Sequence, residues 1–256
     1  MSSDATPHGQ VSPISVLSRF ATVLTRLTGP DLSGSESLPV RLAMGCVDVL
    51  PVDAAGISVM DALRIPLGAS SADADVLERL QVTVGEGPCI DAFSTSEVVT
   101  ATQDQIAQNW PIFNDRMLTE TRIRSVAALP LQTPKTRLGA VDLYWNSPDG
   151  ATTLSRAPAC ELANHIAAIL LAEPVVPTLN GVIGPGWIDA ASAQRRMQVW
   201  QVVGMLNVAC GLSNSDAIAV LRAYAYAHDT NLDDLASDLL SGRIPLDEVA
   251  PQTSNT

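Results

Sequence analysis

The sequence has almost no lysine and few aromatic residues. Lys135 is the only lysine among 256 residues, and Phe, Tyr and Trp together make up 4%. With 15 basic residues against 27 acidic ones, the formal net charge is −12. Such a balance repels polyanions at long range and argues against strong non-specific binding to nucleic acids, which depends on neutralising phosphates. Any contact with a nucleic acid would therefore be local and made by arginine.

Paired cysteines and nucleotide-binding loops are also missing. Cys46, Cys89, Cys160 and Cys210 are widely spaced and form no CxxC motif, which indicates free thiols in a reducing cytoplasm. The glycine-rich run at 85–88 matches neither GxxxxGK[ST] nor GxGxxG. The sequence shows no metal-ligand cluster and no Cys and His close together. We therefore expect no cofactor, no metal and no enzymatic activity, and we rank an enzyme last among the functions considered.

Long hydrophobic runs are absent. The longest one, at 166–172, is too short to span a bilayer. Residues 1–10 lack the basic stretch followed by an apolar stretch that marks a signal peptide. These features predict a cytoplasmic protein with no membrane contact.

The chain length suggests two domains. We expect a disordered N-terminus at 1–12, a sensor domain at 13–173, a linker at 174–188, an output domain at 189–245 and a disordered tail at 246–256. The linker holds three prolines and three glycines, so a continuous helix from one domain to the other is disfavoured.

The first domain alternates helical and strand patterns. Apolar spacing predicts helices near 14–27, 40–50, 72–80, 110–120 and 154–171, and strands near 55–60, 63–68, 97–100, 125–131 and 138–145. This order predicts an α+β fold in which an antiparallel sheet carries flanking helices.

The second domain reads as three helices. Val199, Val202, Val203 and Leu206 recur at helical spacing, and Gly211 is suited to end that helix in the left-handed conformation. Ser213 and Asn231 are good N-caps for the two helices that follow. The pattern predicts a small all-α domain, and taken alone it fits a bundle that only dimerises.

The order of residues in this second half resembles the ANTAR family of bacterial antitermination regulators. The resemblance rests on QVVGMLNVACGLS at 201–213, AIAVLRAYA at 217–225 and NLDDLA at 231–236. It covers about fifty residues. It implies a three-helix domain that binds paired stem-loops in leader RNA.

The first half resembles the GAF family, and is closest to the GAF domains that precede ANTAR domains in actinobacteria. The resemblance spans 38–172 and rests on GEGPC at 85–89, WP at 110–111, SVAALPL at 125–131 and LGAVDLY at 138–144. It implies a sensor with a candidate pocket for an unidentified small-molecule effector, at Cys89, Ile90, Phe93, Trp110, Leu129 and Tyr144. Cys89 itself has two interpretations, a redox-sensing thiol or a small buried side chain, and the absence of nearby basic residues favours the second.

RNA binding would use arginine for phosphate and aromatic rings for unpaired bases. The candidate RNA-binding residues are Arg195, Arg196, Gln198, Gln201, Arg222, Tyr226 and Arg243. Arg195 and Arg196 also fit a solvated helix face. Tyr224 lies on the apolar stripe and fits the core, so Tyr226 is the better stacking candidate.

Two features depart from the ANTAR pattern. Val202 and Val203 stand where that family often has a small residue and then lysine or threonine. Between 195 and 243, four arginines face five acids. The alternative function is therefore a dimeric signalling or partner-binding protein whose ANTAR domain no longer binds RNA. In either case we expect a homodimer, paired through the helices near 14–27 and 154–171 that flank the sensor.

Overall fold

The computed structural model describes residues 15–60, 63–177 and 183–250. The N-terminal segment expected to be disordered, at 1–12, lies outside them, as do residues 251–256 of the expected tail.

The first half is built on a five-stranded antiparallel sheet in the order β2-β1-β5-β4-β3. Its long central strands are rich in Ala, Val and Leu and are almost fully buried, because helices cover both faces. The strands are β1 (Ala54–Met60), β2 (Arg64–Ala69), β3 (Val99–Ala101), β4 (Ser125–Thr133) and β5 (Thr136–Trp145).

Seven helices cover the sheet. Ala127, Leu129, Val141 and Leu143 face α1, α2 and α7, while alternate residues such as Tyr144 face α3 and α6. The helices are α1 (Val16–Arg26), α2 (Leu38–Val49), α3 (Ala72–Val84), α4 (Pro88–Thr95), α5 (Gln103–Asn109), α6 (Pro111–Glu120) and α7 (Arg156–Ala172). The expected α+β arrangement with flanking helices is observed, and α4 and α5 add to the predicted elements.

The glycine-rich run at 85–88 joins three helices. Gly85 ends α3 with φ +76°, and Pro88 begins α4. The Glu86 carboxylate accepts hydrogen bonds from the backbone N–H groups of Ile112 and Phe113, at 2.8 and 3.0 Å. The run therefore has a structural role at the start of α6, where a carboxylate also complements the helix dipole.

The linker forms a hairpin in place of an irregular connection. Strands β6 (Val175–Pro177) and β7 (Ile183–Pro185) pair antiparallel. Trp187 follows in a short 3₁₀-helix, and its indole N–H donates to the Leu170 carbonyl at 3.1 Å. Trp187 thus packs on the core of the first half, and the segment docks on α7.

Three helices form the second half, as expected, and a short fourth one follows. They are α8 (Ala191–Cys210), α9 (Asn214–Ala227), α10 (Leu232–Leu240) and α11 (Leu246–Val249). Gly211 adopts φ +68°, and the Ser213 and Asn231 side chains accept hydrogen bonds from the first turns of α9 and α10. The tail expected to be disordered begins with α11, because Val249 is buried against this helical core.

Candidate functional site

The second half, whose helices α8 to α11 we call the output helices, docks on α3 of the first half. Leu63 and Val82 belong to the same apolar cluster as Val199, Leu221 and Leu235 of the three helices. The core of the output helices is therefore continuous with residues from the first half.

Polar contacts accompany this apolar docking. The Leu232 backbone N–H donates to the Thr83 hydroxyl at 3.2 Å, and the Ser192 hydroxyl donates to the Leu67 carbonyl at 2.8 Å. At the turn between α9 and α10, Asp229 accepts a hydrogen bond from the Arg116 guanidinium at 3.1 Å. We call the contact of the output helices with α3, β2 and α6 the docking interface.

Arg195 and Arg222 lie in the docking interface. Arg195 reaches the Asp75 carboxylate on α3, with 3.5 Å between Nη2 and Oδ1. The Arg222 Nε donates to the Val82 carbonyl at 3.0 Å, and burial lowers the pKa of this guanidinium from its ordinary value. Both side chains therefore contact the sensor in this conformation.

Arg196 is buried inside the output helices. Its side chain is 1% exposed, and Nη2 donates to the Asp233 carboxylate at 3.2 Å. Burial lowers the pKa of Arg196 to about 10, and the same cause raises the pKa of Asp233. The sequence-based expectation that Arg196 binds RNA does not fit this conformation. The guanidinium is buried and paired with Asp233, so it has almost no exposed surface for an RNA phosphate.

The remaining candidates for RNA contact are more accessible. Tyr226 is 56% exposed on α9, and Gln201 is exposed on the outer side of α8. Gln198 is half-buried, and the exposed Arg243 pairs with Asp238. Tyr224 instead stacks on His228, with 3.9 Å between the ring centroids.

Arginines from both halves meet beside α3. The charges of Arg64, Arg222 and Arg195 all lower the pKa of Arg196, which places these three guanidiniums within electrostatic reach of Arg196. Arg64 and the partners Asp75 and Asp233 were not predicted from the sequence. Nothing local in the sequence marks these residues, since each pairing joins elements distant along the chain.

The six residues of the candidate sensor pocket do not share one surface. Cys89 and Tyr144 are fully buried under α3 and α4, and Trp110 is buried beside α6. Ile90 and Phe93 are half-buried on α4. Leu129 faces the opposite side of the sheet, towards α7, because strand residues alternate between faces.

A buried polar cluster lies at the expected pocket. The Arg64 guanidinium donates to the Glu78 and Asp142 carboxylates, at 2.6 and 2.9 Å from Nη2. The Tyr144 hydroxyl donates to Glu78 at 2.7 Å, and the Gln81 amide donates to Asp142 at 2.9 Å. One cation thus serves two carboxylates, all of them almost fully buried.

Burial controls the ionisation of this cluster. It raises the pKa of Glu78 to about 8, against the opposing effect of Arg64. Burial also raises the pKa of the Cys89 thiol well above its usual range. Cys89 is therefore a neutral buried thiol, a state unsuited to redox sensing, which needs a thiolate.

Among residues 15–60, 63–177 and 183–250, no three His, Cys, Asp or Glu side chains are grouped so that they could hold a metal ion. Within those ranges no single helix is long and apolar enough to cross a membrane. Helices α8 and α9 taken together have the length and apolar composition of a membrane span, but the chain bends by 109° at the break between them.

Comparison with known proteins gives a likeness over about 60% of the chain. No protein-family model matches the chain, and no curated protein matches it. It is similar to the GAF domain of a phosphoenolpyruvate-protein phosphotransferase from Coxiella burnetii, at 15% identity and a TM-score of 0.43, over 60% of this chain and 91% of that one. It is also similar to the GAF domain of the phosphoenolpyruvate-protein phosphotransferase from Acinetobacter, at 14% identity and a TM-score of 0.42, over 60% of this chain and 90% of that one. Values of this size assign the chain to no family.

Proposed function

We propose that this chain is a signal-responsive RNA-binding regulator of transcription antitermination. In this proposal a GAF-like sensor controls an ANTAR-like domain that binds paired stem-loops in leader RNA. The observation that supports it most is the three-helix output unit, capped at Gly211, Ser213 and Asn231, behind an α+β sheet. The role is one of binding and regulation rather than catalysis, and an unidentified small molecule is the proposed signal.

The docking interface supports a regulated form of RNA binding. Arg195 and Arg222 are the output arginines that contact α3, through Asp75 and the Val82 carbonyl. RNA phosphates would have to replace these partners, so binding requires the output helices to move away from α3. A signal received by the sensor would act by weakening that contact.

The burial of Arg196, Val202 and Val203 favours a second candidate function. If these side chains stay inside the helical core, the output domain offers few cations to RNA. It would then serve as a protein-binding module in a signalling pathway.

Titration of the full chain with a dual stem-loop leader RNA from the source organism tests the proposal. We expect saturable binding that weakens as salt rises, because phosphate contacts release counterions. The double variant Arg195→Ala/Arg222→Ala should bind about tenfold more weakly, with the salt slope reduced by about 1 to 2 units. Arg196 is left intact, since its loss would perturb the fold.

The matched control removes two arginines elsewhere. The variant Arg26→Ala/Arg137→Ala loses the same charge from exposed positions on the sensor, and its RNA affinity should stay close to that of the parent. Equal losses in both variants would indicate only a net-charge effect. Absence of binding at low salt, with the protein folded, would reject the RNA proposal in favour of the partner-binding module.

A further inference from the structure

The outer side of α8 carries no charge. Residues 197–215 contain no Asp, Glu, Lys or Arg, although charged residues make up 16% of the chain. The inner side of this helix supplies Val199, Val202, Val203 and Leu206 to the output core. The opposite side would ordinarily be polar on a surface helix.

That opposite side is instead exposed and largely apolar. At steps of three and four residues it presents Met197, Gln201, Gly204, Met205 and Val208, which we call the outer stripe. Met197 is 42% exposed, Met205 37% and Val208 89%. A helix that is apolar all round is normally covered on both sides, so the outer stripe lacks a partner within the described residues.

We propose that the outer stripe is a self-association surface, on which α8 of a second copy of this chain packs about a two-fold axis near Gly204. A two-fold interface uses the same patch on both copies, and an uncharged patch can face itself without repulsion. Two chains of net charge −12 repel one another through most other surfaces. The charge distribution therefore selects this stripe for contact with a copy.

Two further details fit antiparallel pairing of the helices. The space in front of Gly204 is open, with no atom within 4 Å of a Cβ built there, so a second helix can approach closely. A groove of about 400 Å³ lies at the end of the stripe, lined by the apolar residues Ala209, Leu246 and Ala250 together with Cys210 and one carboxylate, Asp247. Met197 lies seven residues from Gly204, roughly 10 Å along the helix. A two-fold axis near Gly204 therefore brings the flexible Met197 side chain of one copy to the groove of the other copy.

This surface differs from the one that the sequence suggested. Helices α1 and α7 already pack on each other in one chain, where Phe20 is fully buried and meets the His165 ring edge-on. Most exposed residues of α1, such as Ser18 and Thr22, are polar. They offer less apolar area to a second copy than the outer stripe does.

A single pair of helices buries less than the roughly 800 Å² per partner of a standard interface, so the dimer should be reversible in the micromolar range. Sedimentation equilibrium of the full chain, without RNA, over a hundredfold range of concentration measures it. We expect a monomer–dimer equilibrium in the parent. In Val208→Glu each copy places a carboxylate in this uncharged interface, where burial removes its water, so the dimer dissociation constant should rise at least about tenfold.

Val175→Glu is the matched control, because Val175 is equally apolar and 66% exposed, but lies on β6. It should leave the dissociation constant unchanged. Circular dichroism should show both variants folded, since neither valine contributes to the core. A parent that is monomeric at every concentration, or a dimer that Val208→Glu leaves intact, would overturn the proposal. Dissociation by Val175→Glu alone would place the interface on the hairpin. RNA affinity is not measured here, so the outcome is independent of the proposed RNA binding.

Discussion

Arg64 is a buried guanidinium shared between Glu78 and Asp142, and it determines how the interior of the sensor is ionised. Burying two carboxylates against one cation leaves an excess negative charge, which is costly in a medium of low polarity. A proton on Glu78 relieves that excess, and its raised pKa of about 8 expresses this. Tyr144 and Gln81 supply further hydrogen bonds to the cluster, while Arg64 Nε and Asp142 Oδ1 have no hydrogen-bond partner among the described residues.

Glu78→Gln should change how stability depends on pH. The folded-state pKa of Glu78, about 8, lies above its ordinary value of 4.5, so between these values the folded protein holds more protons than the unfolded one. Its contribution to stability is therefore present at low pH and is lost as pH rises from about 5 to 8. The variant should lack a fall in unfolding free energy of about 1 to 3 kcal/mol over this window.

Urea denaturation at several pH values measures this difference. Glu97→Gln serves as the control, because Glu97 is an exposed carboxylate paired only with Arg156. Parallel pH profiles for the parent and Glu78→Gln would contradict the assignment of the proton to Glu78.

At the scale of single elements, local signals predicted structure well and distant pairings escaped prediction. Gly211, Ser213 and Asn231 were identified as helix caps because capping depends on neighbouring residues only. The burial of Arg196 was missed because Asp233 lies 37 residues away on α10. The hairpin of β6 and β7 was missed because its prolines and glycines are equally typical of an irregular linker.

The expectation that Leu129 lines the candidate pocket was wrong for a related reason. Leu129 and Tyr144 lie on adjacent strands, but on opposite faces of the sheet. The register pairs Leu129 with Val141 and Tyr144 with Val126. Alternation within each strand was visible in the sequence, whereas this register between strands depends on tertiary structure.

The same substitution at two glycines at or near the end of α8 should have opposite effects. Gly211 adopts φ +68°, so Gly211→Ala should destabilise the protein by about 1 kcal/mol through backbone strain. Gly204 has ordinary helical geometry and open space around it, so Gly204→Ala should stabilise the monomer by roughly 0.5 to 1 kcal/mol. Thermal unfolding at low protein concentration checks both, and shifts of equal sign would refute the account.

For the whole molecule, the docking interface decides which output residues are free. Asp75, Thr83 and Arg116 supply its polar contacts from the sensor side. None of these three residues belongs to the apolar clusters of either half, so they can be substituted without creating a cavity in a hydrophobic core. They are therefore the positions at which docking can be weakened selectively.

The triple variant Asp75→Ala/Thr83→Ala/Arg116→Ala should bind leader RNA more tightly than the parent. Loss of the docking contacts raises the population in which Arg195 and Arg222 are free, and apparent affinity scales with that population. We expect a gain of about threefold to tenfold in filter-binding or anisotropy titrations. Asp73→Ala, which removes a different α3 carboxylate and its pair with the exposed Arg122, should leave affinity unchanged. A triple variant that binds no better would show that docking does not restrain RNA binding.

The placement of α8 also bears on how the chain can be divided. Ala190 and Ala193 at its start belong to the core of the first half, and Val199, Val202, Val203 and Leu206 belong to the core of the output helices. One helix is thus a structural member of two hydrophobic interiors. Cleavage at the linker would remove the start of α8 from the core of the first half. It would also leave the same end of α8 uncovered in the second half. The two halves should therefore melt as one cooperative unit, and neither should behave as a portable module.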